Sequence, residues 1–561
     1  MWRFVLCSVF LSVSVLPGIS TAQDVEQAAS WVPGDAEFVV HVDDVSQLIG
    51  RFEQFPLFQS ETFQSAVDLL TEEPEPILNL GNFEELLGCL KNTSETLELG
   101  PLLVSINHSN TSQFNWVAMV RVKSDVTKKD LEVIWHQNVA TISSDELSTE
   151  EVFRVFGIDL QSIVWELHDS WLVASNDQTS LSESISQMTA PEVHFQSLAE
   201  NRRFQTVFRR LVKFDSSDGR LSIFFDPKSV INYMRLFGVD PNTLKIVKGL
   251  GNFNELLMAG VQIRLFENTA EEADASDSGE LAPLVGLAGY LAIGAPRTGL
   301  HAAFDQPIEA ILPVHNNTVG LFALRANLPE VFDAVEEYFD NTYGKGATAK
   351  WLQKAGLPEG FCETVLPLTD GTVISNMYKS EARGDWATIQ SIHANDEQQA
   401  ETLVKEIAAI WGEKNGVQDE VLGNSALIFN GQVALVEVEN WIFFELKEVL
   451  TEYLEQFAPP FDSRLDLGVY VEQVRRHLEH MQEPFFAMAL SPDFWHRWTR
   501  ELNSARERKL EDQELSRSEK LEIAKARIQM AFWELVGYQV IIASSDEKGI
   551  HVSGVVFQPE K

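Results

Sequence analysis

Five sequence landmarks occur twice in this chain, and the second set follows the first in the same order. The pairs begin at Pro33 and Pro313, Gly100 and Gly371, Trp171 and Trp441, Pro227 and Pro492, and His301 and His551. The spacing within a pair falls steadily, from 280 residues for the first pair to 250 for the last. A conserved order with slowly drifting spacing is typical of an internal duplication. We therefore predict two tandem halves, residues 31–305 and 306–561.

Each half repeats one local pattern, in which a strand is followed by an amphipathic helix. Two stretches, residues 116–122 and 434–438, show the alternating or continuous apolar pattern of strands. The segment from Leu328 to Tyr338 instead has apolar residues at helical spacing. Short turns such as Asp370-Gly371 and Lys548-Gly549 favour antiparallel pairing. The predicted fold class is α+β, with helices packed on antiparallel sheets in each half. The sequence also predicts a long, charged helix near the C-terminus, from Asp493 towards Val536.

The first 22 residues have the pattern of a secretory signal peptide. Arg3 precedes an uncharged apolar run over residues 4–16, which ends at Pro17 and is followed by small residues suited to cleavage before Gln23. A membrane anchor is the alternative, but the run is shorter than the roughly 20 residues that a spanning helix needs. We therefore predict an exported protein, periplasmic or extracellular, with no membrane span after signal cleavage. A second apolar stretch, Leu281 to Ala295, is also too short to span and is predicted to be a buried strand or short core helix.

The charge balance limits the classes of partner. The chain carries 83 acidic and 43 basic side chains, for a formal net charge of -40. Binding nucleic acid or an anionic lipid surface requires concentrated Lys and Arg, so neither partner is predicted. The segment from Glu267 to Glu280 is rich in acidic residues and contains no basic one. We interpret that segment as a solvated surface loop, since it lacks the ligand spacing of a calcium loop.

Residues that could form a metal site are few in this sequence. His477 and His480 lie three apart beside Glu479 and Glu483, and His496 follows. On a helix the first two could share a face and bind zinc. The adjacent Arg475 and Arg476 would repel a cation, so a solvated helix is the preferred interpretation. No metal and no cofactor are predicted.

Candidate catalytic residues are equally sparse, because the chain has no P-loop, H-E-x-x-H, G-x-S-x-G or C-x-x-C motif. His301 and His551 would occupy equivalent places in the two halves and could be paired ligand groups in a cleft. Alternatively, both are strand positions inherited through the duplication, and this interpretation is preferred.

Two further groups of residues could serve sugar binding or acid–base chemistry. Trp165, Trp171 and Trp441 could form a sugar-stacking platform, although two of them alternate within strands as core residues do. Asp43 and Asp44 could act as an acid–base pair, but they stand where a helix begins and are better explained as caps.

Cys89 and Cys362 are the cysteines that remain after signal cleavage. They lie 11 and 9 residues before Gly100 and Gly371, at nearly equivalent places in the two halves. A disulfide requires Cα atoms within about 7 Å, which equivalent positions reach only near an axis relating the halves. Cysteine is otherwise a small core hydrophobe. We therefore predict two free buried thiols, with the bridge as the alternative.

The mature chain resembles exported bacterial proteins that contain a duplicated α+β domain of unknown function. In that type, a Pro-x-Asp/Asn motif opens each half, as at Pro33 and Pro313, and a Trp-bounded strand precedes a Ser-Leu helix, as at Trp171 and Ser180. The second half departs from the pattern, with Phe443-Phe-Glu-Leu446 in place of Ala174-Ser-Asn-Asp177. The resemblance implies no catalytic residues.

Secretion, size and the lack of an assembled reactive group favour a non-enzymatic, acidic binding or structural protein. Its partner would be an envelope or extracellular protein or polymer. The alternative is an exported hydrolase with a scattered site. A third possibility is an acidic surface protein that collects cations or polycations, whose affinity would collapse with salt.

Overall fold

The structure is a computed structural model of the full chain. The described residues are 27–53, 55–71, 93–94, 96–108, 114–134, 163–190, 196–211, 220–229, 240, 244, 255–266, 283–308, 318–354, 360–411, 416–455, 484–494 and 517–558. The predicted signal peptide, Cys89, the acidic segment 267–280, His477, His480 and His496 all lie outside them.

Eighteen strands within the described residues form one antiparallel sheet. The strands are β1 Phe38–Val42, β2 Leu102–His108, β3 Phe114–Arg121, β4 Val164–His168, β5 Trp171–Ser175, β6 Leu221–Phe225, β7 Leu256–Leu265, β8 Pro283–Ile293, β9 Thr318–Arg325, β10 Thr369–Ser380, β11 Asp385–Ala394, β12 Gly416–Val421, β13 Asn424–Phe429, β14 Val433–Val438, β15 Trp441–Leu446, β16 Phe486–Leu490, β17 Gln539–Asp546 and β18 Gly549–Phe557.

The strand pairings define a single order from one end of the sheet to the other. That order is β4-β5-β3-β2-β1-β6-β7-β8-β18-β17-β16-β9-β10-β11-β15-β14-β13-β12. The strands from residues 38–293 occupy one side, and those from residues 318–557 occupy the other. The two sides meet where β8 pairs with β18, from Ala292 opposite Gly549 to Pro283 opposite Phe557. We call this junction the seam.

The two sides of the sheet follow the same pairing order. The first side runs β4-β5-β3-β2-β1-β6-β7-β8, and the second runs β14-β15-β11-β10-β9-β16-β17-β18 in the same direction relative to the seam. Among the described strands, β13 and β12 extend the second side alone. The fold class is therefore mixed α+β with an antiparallel sheet, as the alternating patterns and short turns predict.

Helices cover both faces of this sheet. The helices are α1 Val45–Glu53, α2 Glu61–Thr71, α3 Gln178–Thr189, α4 Arg202–Leu211, α5 Leu300–Ala303, α6 Leu328–Tyr343, α7 Ala347–Lys354, α8 Phe361–Val365, α9 Glu397–Trp411, α10 Lys447–Glu455 and α11 Arg517–Glu534. None of the helices in the described part of the chain is long and apolar enough to cross a membrane.

Each half has two cores, one on each face of the sheet. In the first half, Val39 packs in the core that includes α3 and α4, while Val40 packs in the core that includes α1. In the second half, Phe443 packs with α10 and the adjacent Ile442 packs with α9. Successive residues of a strand point to opposite faces, so a doubly covered sheet needs apolar residues on both.

One described helix lies within the stretch from Asp493 towards Val536, for which a long, charged helix is predicted. Helix α11 spans Arg517–Glu534, and the charged residues 505–516 lie outside the described part of the chain. This helix packs against α2 of the first half, where Glu534 Oε2 accepts a hydrogen bond of 2.9 Å from Thr62 Oγ1. The two halves therefore touch through a helix pair as well as through the seam.

Two local predictions have clear outcomes. The apolar stretch from Leu281 to Ala295 contains strand β8, which pairs with β7 and β18 at the middle of the sheet. The predicted turn at Asp370-Gly371 is wrong, because both residues lie at the start of β10, at a register shift. Gly371 has a φ of +83°, and a Cβ there would meet the Ala326 carbonyl oxygen at 1.8 Å, so only glycine fits.

Candidate functional site

A charged cluster crosses the seam between the two halves. Asp546 ends β17, and its Oδ2 lies 3.1 Å from Arg210 Nη1 of α4 and 3.1 Å from His551 Nε2 of β18. The Tyr290 hydroxyl of β8 donates to Asp546 Oδ1 over 3.3 Å, and the Tyr290 and His551 rings are 4.4 Å apart. Two side chains of the first half and one of the second therefore converge on the Asp546 carboxylate.

The local turn explains how Asp546 is held. Its Oδ1 also accepts hydrogen bonds from the backbone N–H groups of Lys548, over 2.7 Å, and Gly549, over 2.8 Å. Asp commonly bonds the backbone two residues on in this way. Gly549 is required on steric grounds, since a Cβ there would lie 2.3 Å from the Leu291 carbonyl oxygen.

The electrostatics of the cluster favour one charged carboxylate surrounded by donors. Burial alone would raise the pKa of Asp546, but its bonds with His551 and Lys548 and the Arg210 charge lower it overall. Burial, with the Asp546 charge, raises the pKa of Tyr290. Burial also lowers the pKa of His551, although Asp546 pulls it the other way. Because Asp546 is already saturated with donors, its carboxylate stabilises the seam rather than standing as a free base.

His301 and His551 do not occupy equivalent positions, so this prediction is wrong. His301 lies in the short helix α5 and His551 in strand β18. His301 Nδ1 is 3.2 Å from Glu255 Oε2, a contact separate from the Asp546 cluster. Burial would raise the pKa of Glu255, but hydrogen bonds from Thr298 and His301 outweigh it and leave the pKa lowered. Each histidine has its own acidic partner, and the structure does not bring the two together.

A buried histidine in β1 was not singled out by the sequence. His41 is 1% exposed, and its Nδ1 lies 3.5 Å from Asp43 Oδ1, which is itself bonded through Oδ2 to Arg220 Nε over 2.7 Å. Burial is the main reason that the pKa of His41 is lowered. Asp44, next to this group, caps α1 by accepting from Gln47 N over 2.9 Å, so the cap interpretation of Asp44 is confirmed. Asp43 and Asp44 therefore have separate structural partners.

The remaining sequence candidates are buried or, in the case of Trp165, half-buried where they are described. Trp171 and Trp441 are 4% and 6% exposed, so they cannot form a sugar-stacking platform. Cys362 is a free, buried thiol, as predicted. Burial raises its pKa, which makes it a poor nucleophile. Within the described residues, no group of three or more His, Cys, Asp or Glu side chains could hold a metal ion.

An open cleft of about 560 Å³ lies beside the start of α1. Its lining includes Asp44, which is engaged as the helix cap, and Lys123, whose Nζ is 2.5 Å from Glu98 Oε1. Ser94 Oγ donates to Ser46 Oγ over 3.3 Å. The described lining residues include no histidine to activate these hydroxyls, so the cleft lacks the usual base for a serine nucleophile.

Among the described residues, the most exposed aromatic side chains lie together on α6 and α7. Tyr343 is 65% exposed and Trp351 is 58% exposed. The Phe339 ring lies near both, with its centroid 5.6 Å from that of Tyr343 and 6.3 Å from that of Trp351. The planes are inclined by 39° and 29° respectively. We call these three residues the aromatic patch.

The helix pair holds the patch in a defined arrangement. Phe339 and Tyr343 share a face of α6 because they are four residues apart. Asp340 fixes the link to α7, since its carboxylate accepts hydrogen bonds from Gly346 N over 2.9 Å and Ala347 N over 3.0 Å. The bond from Gly346 is the main reason that the pKa of Asp340 is lowered. The patch is thus a preformed surface, which reduces the entropic cost of binding.

Sequence reasoning missed this patch. The apolar stripe from Leu328 to Tyr338 predicts the packed face of α6 but does not say which aromatic residues stay exposed. One signal was present, because Tyr343 stands directly before the glycine-rich segment Gly344-Lys345-Gly346, where the helix ends at a φ of +98°. Fewer neighbouring elements pack around the end of a helix, so an aromatic residue there tends to be exposed at the surface. For Trp351 we find no comparable signal.

No family model, no curated protein and no solved structure matches this chain.

Proposed function

We propose that this is an exported, non-enzymatic binding protein that docks a neutral polysaccharide on the aromatic patch. The observation that carries the proposal is the pair of exposed rings, Tyr343 and Trp351, which both lie against the Phe339 ring. Exposed aromatic rings present a flat apolar face with a polar edge, which suits the C–H faces and hydroxyls of a pyranose chain.

The surroundings of the patch favour a sugar over a protein partner. On α6, α7 and their link, the exposed large apolar side chains are both aromatic. The other exposed residues are mostly polar or charged, including Asn341, Thr342, Lys345 and Gln353. A protein interface of standard size needs a broader apolar centre. A sugar chain requires only stacking planes and hydrogen-bonding neighbours.

A neutral polymer also fits the charge of the protein. With a formal charge of -40, the chain would repel an anionic polysaccharide at long range. The rim of the patch carries both signs, with Glu337 on α6 and Lys350 on α7. This mixed rim selects for neither sign of charge.

The non-enzymatic part of the proposal rests on how the titratable groups are used. Asp546, Glu255 and Asp43 are each bonded to residues of the chain itself, and Asp44 caps a helix. A catalytic group must remain available to a substrate. The exported hydrolase remains the alternative, and release of reducing ends during the binding assays below would favour it.

We also propose that the two halves arose by duplication, at about residues 31–305 and 306–561. The matched pairing order supports this, as do backbone hydrogen bonds at corresponding points. Val122 N donates to Ser170 O over 2.7 Å, and Ala394 N donates to Asn440 O over 2.9 Å. Asp226 N bonds Glu37 O, and Ser491 N bonds Val319 O, both over 2.8 Å. This agrees with the type of exported duplicated protein that the sequence resembles.

Export is proposed from the sequence alone, through the predicted signal peptide at residues 1–22. Mature protein purified from its native compartment is expected to begin at Gln23, as read by N-terminal sequencing or intact mass. A chain that retains Met1 in that compartment would contradict cleavage.

The binding proposal is tested by affinity electrophoresis of the full mature chain through gels containing a soluble β-glucan, dextran or a mannan. The Tyr343→Ala/Trp351→Ala double variant is expected to bind about tenfold more weakly, since each aromatic contact contributes about 0.5–1.5 kcal/mol. Val133→Ala is the matched control, because Val133 is an exposed apolar residue elsewhere, at 48% exposure.

Retardation in at least one of these gels that the double variant loses and the control keeps supports the proposal. Unretarded wild-type protein in all three gels would contradict it, as would retardation that the double variant retains. Circular dichroism and the unfolding midpoint should be the same for all variants, since both mutated side chains are mostly exposed.

A further inference from the structure

Strand β12, Gly416–Val421, forms one end of the sheet. In the described part of the chain it has a single neighbour, β13, paired without interruption from Gly416 to Val421. Residues 417–420 are all exposed, and Val417 is 67% exposed. Leu422, in the turn that follows, is 49% exposed. The outer side of β12 is therefore an accessible strand edge, which we call the open edge.

The hairpin geometry shows which backbone groups face outwards. Leu422 and Gly423 form a two-residue turn with φ of +53° and +81°, and Val421 pairs with Asn424. In such a hairpin the residues flanking the turn exchange hydrogen bonds, and every second residue does the same. Asp419 and Val417 therefore bond β13, whereas the N–H and C=O groups of Gln418 and the C=O group of Glu420 point to the open edge. The Glu420 N–H donates to Asp419 Oδ1 over 2.8 Å.

The open edge lacks most of the usual protection against a further strand. Exposed edges are normally blocked by Pro, Lys, a bulge or an irregular register. β12 contains no Pro or Lys, its register with β13 is regular, and Val417 adds an exposed apolar side chain. Outward backbone donors and acceptors in an extended strand are best satisfied by another extended backbone.

The charge around the open edge determines which strand it suits. β12 carries Asp419 and Glu420, and the exposed Glu448 lies at the start of the neighbouring helix α10, where Lys447 is the single basic residue. Lys447 bonds Asp419, which lowers the pKa of that carboxyl and neutralises its charge locally. Glu420 and Glu448 remain exposed carboxylates, so the local field attracts basic side chains.

We propose that the open edge binds an extended, basic segment of a partner protein as an additional antiparallel or parallel strand. Hydrogen bonds to the N–H and C=O groups of Gln418 and to the C=O group of Glu420 would provide the pairing. Val417 would add an apolar contact, and the acidic residues would select for Lys or Arg. A second copy of this chain does not fit, because it would place one acidic edge against another in a protein of charge -40. The inference rests on observations separate from the aromatic patch, so each can fail without the other.

The test uses the full mature chain and a fluorescent, end-capped peptide of five Val-Lys repeats, with five Val-Glu repeats as the charge control. Fluorescence anisotropy should show saturable binding of the Val-Lys peptide and at least tenfold weaker binding of the Val-Glu peptide. Gln418→Pro removes one outward N–H without touching a bond to β13, and it should weaken binding at least tenfold. Gln418→Ala keeps the N–H and is the matched control.

Glu420→Lys provides a second test that leaves the backbone unchanged, and it should also weaken binding of the Val-Lys peptide at least tenfold. Equal binding of both peptides, or binding that neither Gln418→Pro nor Glu420→Lys alters, would overturn the proposal. Concentration-dependent dimerisation of the wild type that Gln418→Pro abolishes would overturn it as well, because the edge would then serve a second copy. Absence of saturable binding by the Val-Lys peptide to the folded wild type has the same consequence.

Discussion

Asp546 connects more elements than any other charged residue described near the seam. Its carboxylate contacts α4 through Arg210, β8 through Tyr290, β18 through His551, and the backbone of its own turn. A buried acceptor that receives this many donors becomes costly to remove, because each donor would lose its partner together with the charge.

We expect Asp546→Asn to lower the free energy of unfolding by about 2 kcal/mol, since an amide replaces a charge-assisted acceptor and presents N–H groups to other donors. The measurement is equilibrium unfolding in guanidinium chloride. Glu547→Gln is the matched control, because it makes the same change at the exposed neighbour in the same turn. Equal midpoints for the two variants would show that the cluster adds nothing to stability.

The lowered pKa of His41 predicts how the free energy of unfolding depends on pH. Its folded pKa is lowered by burial, so between that pKa and the ordinary value of 6.5 the unfolded chain binds a proton that the folded chain does not. Stability is therefore full above about pH 6.5 and falls as the pH drops below it. His551 contributes with the same sign.

Replacing His41 with Leu should make the free energy of unfolding less dependent on pH between about 5 and 6.5. The expected change in slope is up to about 1.4 kcal/mol per pH unit, the value for one proton. Urea unfolding at several pH values measures it. His168→Gln, at a partly exposed histidine at the end of β4, is the control. An unchanged slope in His41→Leu would mean that His41 is not the linked group.

At the scale of elements, α4 shows how one helix is seated on the sheet. Its buried residues Phe204, Val207, Phe208 and Leu211 follow helical spacing and face β7 and β8. Gly260 of β7 leaves the space they occupy, because a Cβ there would meet Leu211 Cδ1 and Val207 Cγ1 at 2.6 Å. The close approach of helix and strand therefore depends on a missing side chain.

Gly260→Ala should reduce the free energy of unfolding by about 1–3 kcal/mol through overpacking. Gly289→Ala in the adjacent strand β8 is the matched control, because a Cβ there meets its nearest atoms at an ordinary 3.6–3.7 Å. Thermal unfolding of both variants compares them directly. If Gly289→Ala proved as destabilising as Gly260→Ala, crowding under α4 could not be the cause.

At the scale of the whole molecule, the seam turns two half-sheets into one. β8 and β18 pair over residues 283–292 and 549–557, and α2 packs with α11 beside the sheet. Unpairing the seam would expose two long, apolar strand edges to water, which is unfavourable. The halves are therefore expected to unfold together.

Hydrogen exchange measured by mass spectrometry tests this expectation in the intact chain. Peptides covering β8 and β18 should exchange as slowly as those covering β1 and β9, because all of them open only on global unfolding. Guanidinium at concentrations below the transition should accelerate all four equally. Faster exchange confined to β8 and β18 would show that the halves separate while each stays folded.

Features set by near neighbours in the chain could be predicted from the sequence. Period-two alternation predicts the strands at residues 116–122 and 434–438, and helical spacing predicts α6, because one buried face imposes its own period. The Asp44 cap is local as well, since the carboxylate and the amide it binds are three residues apart. Gly371 was predicted as part of a turn, but it serves a close approach to Ala326 inside β10.

Features that join distant segments were decided by the tertiary structure. Nothing local distinguishes Trp351, which is exposed, from Trp171, which is buried, because burial depends on what packs above the residue. Likewise, Arg210 and Asp546 meet only because β8 and β18 pair. By itself, the sequence determined the alternation of apolar residues in the strands, the apolar stripes of the helices and the Asp44 cap, since each of these depends on residues a few positions apart. It also determined the acidic net charge, which depends on composition alone. The seam, the aromatic patch and the open edge required the fold, because contacts between distant residues form only when the intervening chain has packed.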